Sequence, residues 1–120
     1  MGCQQCLYLA AKNNNIDRAV LSGCITDDKL ISNVNHGIKE SWITLRPDTI
    51  TYFTNERLIK MIYPKSLMIV NGKKDSVAVL GKGYPLLEKI KEIYKDKPKN
   101  FIFVEHSGGH EVPKEVMEFF

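Results

Sequence analysis

The sequence predicts an α/β fold: a mostly parallel sheet of about three strands with helices on its faces. Two observations carry that prediction. Three short stretches, Ile16–Leu21, Leu67–Val70 and Phe101–Val104, are rich in aliphatic and aromatic residues and show little polar alternation, the pattern of strands covered on both sides. Stretches with helical spacing alternate with them, as right-handed βαβ crossovers require.

In chain order, Cys3–Lys12 is rich in Leu and Ala and stops at the asparagine run 13–15, which suits a helix end. The first strand follows and closes at Ser22-Gly23. Thr54–Ile62 reads as a short helix ending before Pro64. The second strand ends in Asn71-Gly72. Pro85–Tyr94 puts Leu86, Leu87, Ile90, Ile93 and Tyr94 at three-to-four spacing, with Pro85 suited to the first turn. The third strand runs into Glu105-His106, and Val112–Phe120 opens a last helix at Pro113. Residues 24–62, which hold Trp42, are too long for a plain loop and read as an insertion containing some helix. Trp42 is a candidate wall of a substrate pocket and equally a core residue.

A chain of 120 residues suits one domain, and 43% hydrophobic with 26% charged residues is ordinary for a soluble globular protein. The formal charge of +3 is mild, and the lysines at 91, 95, 97 and 99 are interleaved with Glu92 and Asp96. That is a solvated helix end, not a nucleic-acid stripe. No apolar run reaches the roughly 20 residues of a membrane span, and the N-terminus lacks a signal-peptide pattern. Three cysteines, Cys3, Cys6 and Cys24, are an odd count that argues against a disulfide framework. A cytoplasmic protein is the expectation.

Two segments carry candidate chemistry. In Ile69-Val70-Asn71-Gly72-Lys73-Lys74-Asp75, an apolar strand ends, a glycine permits a sharp turn, and a carboxylate follows three residues later. A carboxylate there projects from the C-terminal edge of a parallel sheet, where open α/β folds bind ligands. Asp75 is also an ordinary turn residue. In Phe101-Ile102-Phe103-Val104-Glu105-His106-Ser107-Gly108-Gly109-His110, a strand runs into a Gly-Gly turn that presents His110. If the two strands are neighbours, both side chains reach one edge. An Asp accepting from one ring nitrogen would then leave the other free to take a proton.

That order, Asp, helix, strand, Gly-Gly-His, resembles the C-terminal part of the α/β-hydrolase fold, in which the triad runs Ser, Asp, His. Met1-Gly2-Cys3-Gln4-Gln5-Cys6-Leu7 is similar to the segment after the nucleophile in the family's G-x-S-M-G elbow. The resemblance covers essentially the whole chain outside the insertion. Tyr63-Pro64-Lys65-Ser66 and His110-Glu111-Val112-Pro113 resemble the dienelactone hydrolase and prolyl-oligopeptidase-like esterases in particular. The resemblance implies hydrolysis of an ester, or less often a peptide, through an acyl-enzyme and without a cofactor. Asp75 would orient His110, His110 would act as base and then acid, and the backbone N–H of Met1 would be one oxyanion donor. The nucleophile and the first half of the sheet are not in this chain, so it is expected to be an inactive fragment of a larger enzyme.

Other readings weigh against this one. A three-stranded sheet exposes apolar edges, so self-association or a non-catalytic, protein-binding pseudo-hydrolase is the alternative. Cys3-x-x-Cys6 fits helix packing better than a redox site, having no strand before it. A zinc site from Cys3, Cys6, His106 and His110 meets the objection that Gly108-Gly109 precludes one helix face holding both rings.

Overall fold

The computed structural model describes residues 2–23, 25, 54–76 and 85–118. Its elements are α1 (Gly2–Lys12), β1 (Arg18–Ser22), α2 (Asn55–Ile62), β2 (Ser66–Gly72), α3 (Pro85–Ile93), a 3-10 turn at Pro98–Asn100, β3 (Phe101–His106) and α4 (Lys114–Met117). The strands form one sheet in the order β1-β2-β3, and both pairs are parallel.

Register turns the three apolar stretches into layers. Ala19 pairs with Leu67 and Leu67 with Phe101; Leu21, Ile69 and Phe103 form the next row on the same face. Because side chains alternate along a strand, Val20, Met68 and Ile102 fall on the opposite face. The central strand β2 is buried from Leu67 to Gly72, as its unbroken apolar run requires, while β3 is only half-buried along its length.

The two faces are covered unequally. Helices α1, α2 and α3 all pack on the first, where Leu7, Ala10, Leu58, Ile59, Ile62, Leu87 and Ile90 join Leu21, Leu67 and Ile69 in one cluster. Tyr94 closes that layer. Its ring stands edge-on to Tyr63 with centroids 5.3 Å apart and stacks on Phe101 at 5.6 Å. On the second face, Met68 and Val70 meet Val116 of α4, with Val20, Ile102 and Val104 half-buried beside them.

Local chemistry sets the helix ends. Thr54, expected as the first helical residue, is the N-cap of α2: its hydroxyl accepts from the Arg57 N–H at 3.2 Å. The Lys65 ammonium donates to the carbonyls of Ala10 and Asn13 at 2.7 and 2.8 Å, satisfying the C-terminal end of α1 and tying it to the entry of β2. Glu56 on α2 pairs with Lys60 at 3.1 Å and with Lys89 of α3 at 3.3 Å, and these lysines, Lys60 foremost, hold its carboxyl below the usual range.

The first strand begins at Arg18, two residues later than its apolar start suggests; the turn leaving α1 runs through Asn14 and Asn15, and the Ile16 N–H still donates back to the Asn13 carbonyl at 3.3 Å. The Asp17 backbone carbonyl accepts the Ser66 N–H at 3.0 Å, next to the Arg18–Ser66 pair that opens the ladder. The last helix is a single turn starting at Lys114, since Pro113 serves as its N-cap. Of the expected insertion at 24–62, Ile25 is buried in the core and Asn55–Ile62 is α2; the remainder, including Trp42, lies outside the described residues, Thr54 excepted.

Cysteine pairing departs from the sequence expectation. Cys3 is disulfide-bonded and sits against the core, whereas Cys6 is a free, exposed thiol. An odd count leaves one thiol over but does not forbid a bridge. Among the described residues, no helix is long and apolar enough to cross a membrane.

Candidate acid–base site

All three strands point their C-terminal ends the same way, and the segments leaving them converge. Beyond β2, the Asp75 N–H donates to the Gly72 carbonyl at 3.0 Å, a tight turn that brings the Asp75 carboxylate back over the strand end. Beyond β3, the Glu111 N–H donates to the Gly109 carbonyl at 3.0 Å, a three-residue turn with His110 at its apex.

The two loops are bonded to each other. Lys73 N–H donates to the His106 carbonyl at 2.8 Å and Lys74 N–H to the Gly108 carbonyl at 3.0 Å. Gly72 lies so close beneath the His110 loop that a β-carbon there would overlap the carbonyl oxygens of Gly108 and Gly109. From β1, the Ser22 hydroxyl donates to the Glu111 carbonyl at 3.3 Å. Within the loop, the Gly108 N–H donates to His106 Nδ1 at 3.2 Å.

This scaffold brings the two candidate side chains together. His110 Nδ1 lies 3.1 Å from Asp75 Oδ2; the Asp75 side chain is 0% exposed and the His110 side chain 53%. An ionised carboxylate only accepts, so the pair calls for Nδ1–H, which leaves the Nε2 lone pair as the ring's basic atom. A carboxylate enclosed by protein holds an imidazole that is open to solvent, which is the arrangement proton transfer to an outside group needs. Among the described residues, no hydroxyl or thiol hydrogen-bonds to His110.

The remaining candidates do not join the pair. Met1, the expected oxyanion donor, lies outside the described residues. Ser76 and Ser107 are exposed loop residues, and the Ser22 hydroxyl is spent on the loop backbone. For zinc, the Cys3 sulfur is taken up in a disulfide and His110 Nδ1 faces Asp75, and no described group of three His, Cys, Asp or Glu is arranged to hold a metal.

Sequence reasoning missed Gly23 and Ser22 as parts of the site, the close approach of Gly72 to the His110 loop, and His106 as a brace for that loop. The signal was present in Ser22-Gly23, Asn71-Gly72 and Gly108-Gly109, small residues placed just where each strand ends. No protein-family model matches the chain, and no curated protein or solved structure is significantly similar to it.

Proposed function

We propose that this chain supplies the acid and the base of a serine hydrolase acting on a carboxylic ester or peptide through an acyl-enzyme. Asp75 orients the imidazole of His110, and His110 Nε2 takes the proton of a serine hydroxyl as it attacks the carbonyl, then returns it to the leaving group. The observation that carries this reading is the 3.1 Å contact between His110 Nδ1 and an enclosed Asp75 carboxylate at the C-terminal edge of a parallel sheet. The nucleophile comes from outside the described residues; the resemblance places it immediately before Met1, at the end of a further strand beside β1.

The reading makes the 120-residue chain inactive by itself, since a general base without its nucleophile gives little acceleration. The test starts with the in-frame coding sequence upstream of Met1, expected to encode Gly-x-Ser after an apolar strand. The extended chain should hydrolyse p-nitrophenyl esters and react with a fluorophosphonate, with His110→Ala lowering kcat by about 10³-fold or more. Saturable turnover by the 120-residue chain alone, or a stop codon in place of the elbow, defeats the proposal.

A further inference from the structure

We propose that Gly23 is a positioning residue, its missing side chain forming the floor beneath the His110 ring that keeps the imidazole against Asp75. This deepens the reading of His110 as a proton-transfer group and rests on it.

Gly23 follows β1 directly and has φ +61°, in the left-handed region that L side chains rarely adopt. A β-carbon there would stand 3.0 Å from His110 Nδ1, 3.1 Å from His110 Cε1 and 3.2 Å from Asp75 Oδ2. Such a carbon would therefore press from one side on both atoms that make the hydrogen bond.

What would give way follows from the constraints on each group. Gly23 is held by its own N–H, which donates to the Val70 carbonyl at 3.0 Å and extends the β1–β2 ladder by one residue. The Asp75 side chain is fully enclosed. The His110 ring is half-exposed and is the one member of the three with free space to move into. A side chain at position 23 thus pushes the ring outward by a few tenths of an ångström, stretching a hydrogen bond that is already 3.1 Å long while the sheet survives.

The first test is nuclear magnetic resonance of the 120-residue chain labelled with ¹⁵N-histidine, at about pH 8, above the ordinary imidazole range. In the native chain His110 shows the Nδ1–H tautomer, and Asp75→Asn abolishes that preference. Gly23→Ala is expected to abolish it too, with the His106 resonances as an internal control for an intact sheet. Retention of the His110 Nδ1–H signal in a folded Gly23→Ala chain overturns the proposal.

A thermal double-mutant cycle keeps the outcome readable if Gly23→Ala folds poorly. Removing the ring removes the collision, so Gly23→Ala should lower Tm less in a His110→Ala background than in the native one. Equal losses, or a double variant that stays unfolded, overturn the proposal. In an extended, active chain, Gly23→Ala should lower kcat about 10-fold or more with little change in KM, the cost of a base no longer held against its carboxylate. An extended chain without hydrolase activity counts against the proposed reaction alone, because the resonance and melting measurements do not need turnover.

Discussion

The backbone N–H of Lys74 donates to the carbonyl of Gly108 at 3.0 Å, so the loop carrying Asp75 is bonded directly to the loop carrying His110. The 3.1 Å pair above it is therefore not a chance meeting of two mobile side chains. Each group is delivered by a turn whose backbone is fixed to the other turn. A carboxylate and an imidazole held this way need little further ordering when a third group approaches, which is the condition for efficient proton transfer.

Asp75→Asn tests that pair with almost no change of shape. The amide lacks the charge, and its NH2 can donate to Nδ1 where the carboxylate could only accept, so the His110 tautomer preference should be lost by ¹⁵N resonance. In the extended chain kcat should fall by about 10²- to 10⁴-fold. Unchanged kcat would show that His110 works without an orienting carboxylate.

Gly72→Ala tests the contact between the loops. Its β-carbon meets backbone carbonyls, which cannot rotate aside as a side chain would, and the Lys73 and Lys74 hydrogen bonds oppose sliding. Urea denaturation should show a loss of about 2–3 kcal/mol. A loss below about 0.5 kcal/mol would mean the loops part easily.

The unequal faces of the sheet predict unequal core mutations. Ile69→Ala, beneath three helices, should cost about 2–5 kcal/mol, a large part of the stability of a small domain. Val104→Ala, half-buried on the other face, should cost nearer 1 kcal/mol. Equal costs in paired denaturation curves would show that the second face is as well packed as the first.

Alkaline stability should report on Tyr94. Burial, reinforced by the neighbouring Tyr63, pushes its hydroxyl up to about 12, and that hydroxyl donates to the Lys65 carbonyl at 3.0 Å. The unfolded chain loses this proton near pH 10 while the folded one keeps it, so folding binds the extra proton and stability falls as pH rises. The Tyr94 contribution is complete below about pH 10 and is lost by about pH 12, a change of roughly 2–3 kcal/mol. Tyr94→Phe should cost about 1 kcal/mol at neutral pH and flatten that window in denaturation curves measured across it. A window unchanged in the variant would assign the alkaline loss to another group.

By itself the sequence determined the kinds and order of the described elements and which residues stand at the strand ends. Those are local properties: an unbroken apolar stretch such as Leu67–Val70, a stop at Asn71-Gly72, and a proline at Pro85 each act over a few residues. For the same reason Asp75 and His110 could be placed just past two strands. Their meeting, however, depends on β2 and β3 being parallel neighbours, with Gly72 opposite His106. Strand order and register join residues far apart in the chain, and no local pattern encodes them. Tertiary structure likewise decided that the carboxylate is enclosed and the ring open, that Cys3 is bridged despite an odd cysteine count, and that Gly23 lies under a histidine 87 positions later. A glycine's absent side chain acquires a function only when something else occupies the space it leaves, and only the folded chain puts His110 there.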